Sequence, residues 1–317
     1  MANPVSEHPI VVGVDGSPAA WRAGAWAAAE AARAHVPLRL VHCCALAVVR
    51  QPRHLPPPPA YRTAVLAQGR HWLNDAARRV RACAPDVALS TDMRAGLPAD
   101  VLIDESRTAS LVVVGSRGTG GFRELLLGSV AVALAAHGHC PVIVHRGTDA
   151  DGQAEDVRPV VVGVDGSPLS DAAVGFAFEE AAARRAPLVA VHTWLDVNTA
   201  GMWAGLPTMI DWPTVQADEE CVLTQKLARW QKEYETVPVR TVVLRDRPEH
   251  ALQARSAHAQ LVVVGSRGRG SLAALGLGSV SNALLHTARC PVAVVRPESG
   301  AVHHLGHNLR PGAFPAA

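Results

Sequence analysis

Two clusters of residues in this 317-residue chain are suited to holding phosphate and ribose, and each occurs twice. The first is Asp15-Gly16-Ser17-Pro18, which returns as Asp165-Gly166-Ser167-Pro168. The second is Gly115-x2-Gly118-x9-Gly128-Ser129, which returns as Gly265-x2-Gly268-x9-Gly278-Ser279. An aspartate just after a strand is placed to accept a hydrogen bond from ribose or adenine, or to hold a metal ion. Gly115, Gly118, Gly265 and Gly268 let the backbone turn sharply and come close to a ligand. Gly128-Ser129 and Gly278-Ser279 begin helices whose free N–H groups and positive dipole ends suit phosphate oxygens. The Ser129 hydroxyl is expected as N-cap, as phosphate donor, or as both in alternation. Arg117 and Arg267 add positive charge. The chain has only two lysines, Lys226 and Lys232, and neither follows a glycine. That excludes a GxxxxGK[ST] phosphate loop.

The elements that must position these residues are themselves repeated. Val11-Val12-Gly13-Val14 returns as Val161-Val162-Gly163-Val164, Leu111–Gly118 as Leu261–Gly268, and Cys140-Pro141-Val142 as Cys290-Pro291-Val292. Every pair is offset by 150 positions, as 165 minus 15 shows for the aspartates. Each unit is domain-sized, so the pattern is a tandem duplication rather than a short-period solenoid. The expected division is 1–147 (core 9–146), a linker 148–158, 159–297, and a frayed tail 298–317.

Within the first copy, short apolar runs predict strands at Ile10–Val14, Leu38–Cys43, Val87–Met93, Leu111–Val114 and Val142–His145. Helices are predicted after Ser17-Pro18, over Tyr61–Cys83, from Pro98 to about Thr108, and over Ser129–His137, with Pro52–Pro59 a surface loop. The second copy gives strands Val160–Val164, Leu188–Thr193, Val239–Leu244, Leu261–Val264 and Val292–Val295. This alternation predicts an α/β fold: two tandem five-stranded parallel sheets with helices on both faces. Placing strand four beside strand one, in the order 3-2-1-4-5, would bring both residue clusters to the crevice at the strands' carboxyl ends.

Charge and cysteine content narrow the function. Thirty basic side chains oppose 28 acidic ones, which argues against a strongly basic nucleic-acid reader. The six cysteines form no CxxC pair and no zinc-like spacing, so they are expected as reduced thiols in a cytoplasmic protein. No segment reads as a signal peptide or a membrane span. Catalysis is not indicated, because each copy offers one carboxylate at the site and no second one common to both. His42 and His192 follow strand two in both copies and are expected to be structural. No G-x-S-x-G elbow follows a strand, and His304-Leu305-Gly306-His307 lies in a Gly/Pro-flanked tail with no helix after it.

On Gly13-Val14-Asp15-Gly16-Ser17, Val113-Val114-Gly115-Ser116-Arg117-Gly118 through Leu126-Leu127-Gly128-Ser129-Val130, and Cys140-Pro141-Val142, the chain resembles the universal stress protein family in its tandem-domain, nucleotide-binding form. The resemblance covers both repeats and implies a Rossmann-like pseudo-dimer joined through the fifth strands. It implies ATP, with or without magnesium, at one site per repeat. Asp15 and Asp165, beside Gly13 and Gly163, would contact adenosine, and the backbone near Val41 and Val191 would read the adenine edge. Gly115, Ser116, Arg117, Gly118, Gly128, Ser129 and Val130 would surround ribose and phosphates. In the second copy Gly265, Ser266, Arg267, Gly268, Gly278, Ser279 and Val280 would do the same. The expected role is a nucleotide-dependent stress-response binder with protein partners and a possible homodimer, touching neither nucleic acid nor membrane. A slow ATPase and an interaction scaffold with vestigial pockets are the alternatives. The copies differ at Glu124 against Ala274, and after strand two, where Arg50–Pro59 is replaced by Asp196–Pro213. Trp194, Met202, Trp203, Met209 and Trp212 there are expected to pack a helix or lid, or else to form a partner surface.

Overall fold

The computed structural model describes residues 8–44, 59–118, 127–146, 157–167, 170–194, 211–268 and 276–296. The expectations for the Pro52–Pro58 loop, the inter-repeat linker, the tail, Glu124, Ala274, Met202, Trp203 and Met209 lie outside those residues. The first repeat runs β1 (Ile10–Gly13), α1 (Pro18–Ala34), β2 (Leu38–Cys44), α2 (Pro59–Cys83), β3 (Leu89–Ala95), α3 (Pro98–Glu105), β4 (Leu111–Gly115), α4 (Ser129–His137) and β5 (Val142–His145). The second runs β6 (Val160–Val164), α5 (Ser170–Arg184), β7 (Leu188–Thr193), α6 (Trp212–Glu233), β8 (Val239–Leu244), α7 (Pro248–Ser256), β9 (Leu261–Gly265), α8 (Ser279–Thr287) and β10 (Val292–Val295).

The predicted order is realised in both copies and extended into one ten-stranded sheet, β3-β2-β1-β4-β5-β10-β9-β6-β7-β8. All pairings within a repeat are parallel, as the crossover helices require. The exception is the seam: β5 and β10 pair antiparallel, with Val144 opposite Val292 and Ile143 opposite Ala293. Every residue of β5 and β10 is buried. Apolar runs with no polar face are stable only when covered on both sides, and helices do so here. One face carries α1, α2, α5 and α6 around Trp26, Leu73, Phe178 and Leu227. The other carries α3, α4, α7 and α8 around Leu102, Leu134, Leu252 and Leu284. Each such fully buried side chain contributes about 1.5–3 kcal/mol.

The strands are not uniformly apolar, however. β3 (Leu-Ser-Thr-Asp-Met-Arg-Ala) is an edge strand and mostly solvent-facing, and it begins two residues later than predicted, with β8 similar at the opposite edge. Polar side chains on an edge discourage pairing with other chains. The α3 helix also stops at Glu105, three residues short of the expected end.

Charged contacts join the repeats. Arg146, just past β5, donates to the Leu285 and Ala288 carbonyls at 2.7 and 3.1 Å, capping the end of α8. Its repeat mate Arg296 donates to the Ala136 carbonyl of α4. Beneath α1 and α5, buried Arg184 bridges Glu30 and Glu180, which are themselves repeat mates, and Arg33 also reaches Glu30 at 2.7 Å. Burial works against the Arg184 charge, but Glu180 and Glu30 outweigh it and hold its pKa above the ordinary value. Burial pushes the neighbouring Glu179 carboxyl up to about 8, with the Glu180 and Glu233 charges adding to the effect.

Candidate functional site

The chain leaves β1, builds β2 and β3 outward, and returns across β1 to lay down β4. Strand order therefore reverses between β1 and β4, and their following loops diverge to leave a crevice. Asp15 follows β1 and its Oδ1 accepts the Ser17 N–H at 2.9 Å, which fixes the carboxylate at the start of α1. Ser17 is the N-cap of α1: its hydroxyl accepts the Ala20 N–H at 3.1 Å, with Pro18 following in the first turn. The same hydroxyl lies 3.4 Å from the Arg117 carbonyl, drawing the β4 loop toward α1.

The two clusters do meet. A Cβ added at Gly118 would lie 2.4 Å from Asp15 Oδ2, and one at Gly268 would lie 2.8 Å from Asp165 Oδ2. A side chain at either place would displace the carboxylate, whose oxygen stands where the Cβ would be. The β4 loop is also held at its base, since the Ser116 N–H donates to the His145 carbonyl at 3.1 Å and the Ser116 carbonyl accepts from Gly128 at 2.8 Å. Ser266 repeats both bonds, to Val295 and from Gly278, at 2.7 Å each. Gly128 and Gly278 are thereby set directly beside the β4 and β9 loops.

Several sequence expectations change in detail. Gly128, not Ser129, is the N-cap of α4, and Gly278, not Ser279, that of α8; neither helix has a side-chain cap. Ser129 and Ser279 are the first helical residues and are exposed, so their hydroxyls face outward rather than back to the backbone. Val130 and Val280 follow in the first turn and pack partly on the core. At Gly115 a Cβ would stand 2.7 Å from the Ala19 carbonyl carbon, so glycine there admits the backbone of α1. Gly13 and Gly163 likewise make room for Leu102 and Leu252, at 2.9 Å from the added Cβ in each case. Val41 and Val191 are buried in the sheet, and the Val41 carbonyl accepts the Val14 N–H at 2.8 Å. Arg117 is exposed on the loop.

The glycine at 128 is different. Its φ is −76°, open to any residue, and a Cβ would stand 3.6 Å from the Ser116 carbonyl oxygen, an ordinary contact. Among the described residues no contact demands glycine there, and the space in front of α4 is bounded by the β4 loop. With uncapped N–H groups on one side and Asp15 on the other, that space fits a group with anionic oxygens and hydroxyls. Among the described residues there is no grouping of three or more His, Cys, Asp or Glu suited to a metal ion.

The nearby polar residues are structural. His42 and His192 are buried, and each Nδ1 donates to the carbonyl of Val14 or Val164 at 2.7 Å. His192 Nε2 further pairs with Glu219 at 2.9 Å, whereas the His42 ring lies edge-on to Trp72, with centroids 5.2 Å apart. Trp72 also packs against Gly16, whose φ of +80° demands glycine; this aromatic wall carried no sequence signal. In the second copy Trp194 and Trp212 stack on each other at 5.5 Å under Arg245, which favours the packing role over an exposed partner surface. All six cysteines are free, and burial pushes the Cys43 and Cys140 thiols up to about 12, far from a nucleophilic thiolate.

The architecture defines a duplicated, doubly wound α/β protein with a glycine-lined crevice at each switch point. Residues 7–146 and 156–296 both match the model of the universal stress protein family, and the chain belongs to that family. It is 42% identical over 292 residues to Universal stress protein Rv2623 of Mycobacterium tuberculosis, covering 90% of this chain and 96% of that one. It is 41% identical to Universal stress protein Rv2005c of the same organism, covering 93% and 99%. The fold is shared with a crystal structure of a universal stress protein from Archaeoglobus fulgidus, with TM-score 0.63 and 19% identity over 92% of this chain and 98% of that one.

Proposed function

We propose that the protein is an adenine-nucleotide binder, with ATP as ligand, holding one nucleotide per repeat and acting in the cytoplasm as a regulator rather than an enzyme. The observation that carries this reading is the space in front of α4. The uncapped start of α4 at Gly128 faces it, and the β4 loop with Asp15 behind it borders it. Phosphate oxygens would be held by the N–H groups of Ser129 and Val130 and by the Ser129 hydroxyl, with Arg117 supplying charge from the exposed loop. The Asp15 carboxylate, already held by the Ser17 N–H, would accept from the ribose or adenine. Asp165, Gly278, Ser279, Val280 and Arg267 would act alike in the second repeat. Asp165 also accepts the Ser167 hydroxyl at 2.6 Å, a contact that competes for one of its oxygens.

Binding without turnover is the reading these surroundings support. Hydrolysis needs a group to orient water and usually a metal clamp. His42 and His192 are committed through Nδ1 to the Val14 and Val164 carbonyls. The stress-response role is taken from the relatives' names and from the design of the fold, in which both sites flank a shared seam. The test is extraction of the natively purified protein and identification of the released nucleotide. Adenine nucleotide in the extract is the expected result. None, together with no thermal shift on adding ATP, would favour a scaffold with vestigial pockets. Phosphate release that a site substitution abolishes would favour a slow ATPase.

A further inference from the structure

The start of α4 is hydrogen-bonded, step by step, to the far end of α8, and the start of α8 to the far end of α4. Gly128, the N-cap of α4, donates its N–H to the Ser116 carbonyl at 2.8 Å, and the Ser116 N–H donates to the His145 carbonyl at 3.1 Å. The next residue is Arg146, whose guanidinium donates to the Leu285 and Ala288 carbonyls at the end of α8. At the start of α8 the Gly278 N–H donates to the Ser266 carbonyl, and the Ser266 N–H to the Val295 carbonyl, both at 2.7 Å. Arg296 follows Val295 and donates to the Ala136 carbonyl in the last turn of α4. The circuit closes on itself. A second contact falls on the same turn of α4: a Cβ at Gly276, just before the start of α8, would stand 3.3 Å from Ala136 and from His137.

We infer that Arg146 and Arg296 are positioning residues for nucleotide, each acting on the site of the other repeat, so that the two sites are coupled. The inference rests on the nucleotide reading above. The last carbonyls of a helix lack partners within it, and a cation there complements the negative end of the dipole. Both helices are nine residues long, so a clasp on the last turn steadies the first, where phosphate would sit. Arg146 thus frames the second site while the backbone beside it, at His145, anchors the β4 loop of the first. Arg296 and Val295 do the reverse. Phosphate that orders the start of α4 steadies its Ala136 end, and through Arg296 and Val295 the β9 loop. Occupancy of one site then favours the other, and linkage makes the effect mutual.

Hydrogen exchange read by mass spectrometry across an ATP titration of the full chain follows the sites separately, through peptides covering α4 and α8. Wild type is compared with Arg146→Met and Arg296→Met, and with Arg146→Lys and Arg296→Lys, which keep the charge but lose the planar fork. In Arg146→Met the ATP concentration for half-protection should rise by at least about threefold at α8, and by less at α4. Arg296→Met should show the opposite order, with the lysine variants intermediate. Should a methionine variant fail to fold by circular dichroism, the lysine pair gives the same crossed comparison. A local structural role would place the larger shift in the repeat that carries the substituted arginine. That result, equal shifts at both helices, or no shift overturns the inference while leaving the nucleotide sites in place. Wild type in which ATP protects neither helix start contradicts the nucleotide reading itself, and the coupling falls with it.

Discussion

The clearest consequence of the site geometry concerns Gly118. Replacing it with alanine places a methyl group 2.4 Å from Asp15 Oδ2. A carbon and an oxygen settle no closer than about 3.2 Å, so the carboxylate must retreat by about 0.8 Å. The clash is with the end of a side chain and not with backbone, so the fold is retained, and melting temperature should change by no more than about 2 °C. A hydrogen bond to a charged group contributes about 1.5–3 kcal/mol, and a 0.8 Å displacement forfeits most of it. ATP at the first site should therefore bind about ten- to a hundredfold more weakly. The second repeat supplies an internal comparison. Its methyl group would start 2.8 Å from Asp165 Oδ2, so Gly268→Ala moves the carboxylate only about half as far. Its site should weaken by about three- to tenfold. Isothermal calorimetry on both variants reads the two affinities directly. Wild-type affinity in Gly118→Ala, or a larger loss in Gly268→Ala, would refute the assignment of Asp15 as a ligand-facing acceptor.

Gly115→Ala should behave differently from Gly118→Ala, because its methyl group meets the backbone of α1 at 2.7 Å. A loss of about 1–3 kcal/mol in urea unfolding is expected, whatever happens to nucleotide affinity. Arg184→Met should destabilise by about 3–5 kcal/mol at neutral pH, since it leaves Glu30 and Glu180 facing each other without their buried cation. The deficit should shrink in acid as Glu180, whose carboxyl pKa burial raises, takes up its proton, which denaturation at two pH values checks. Glu179 has a folded-state pKa raised to about 8 from 4.5, so its contribution is fully present below the unfolded pKa and is lost as pH rises toward 8. Glu179→Gln should thus match wild type near about pH 4 and exceed it by about 5 kcal/mol near about pH 9, seen as a higher melting temperature only at the alkaline end.

Much of the fold is written plainly in the sequence. Runs such as Leu111–Val114 are too short and too apolar for anything but a doubly covered strand, and the 150-residue offset exposes the duplication. The edge strand β3 was less legible, because Leu89–Ala95 mixes polar and apolar residues and its bounds depend on which face meets α2. The glycine motif was legible as a motif but not as a set of roles. A missing Cβ looks identical in sequence whether it admits a helix, as at Gly115, a carboxylate, as at Gly118, or meets only ordinary contacts, as at Gly128. The hydroxyl after Gly128 likewise could not reveal that the cap falls one residue earlier. The inter-repeat charges were hidden for another reason. Arg184 has Ala34 as its repeat mate, so comparing the copies erases the cation that joins Glu30 to Glu180.

The central claim is that each repeat carries its own nucleotide crevice. Titration of nucleotide-free wild-type protein with ATP by isothermal calorimetry tests it most directly. Saturation at two equivalents per chain, falling to one tight equivalent in Gly118→Ala, is the predicted result. A single equivalent in wild type, or heat that never saturates, would contradict it.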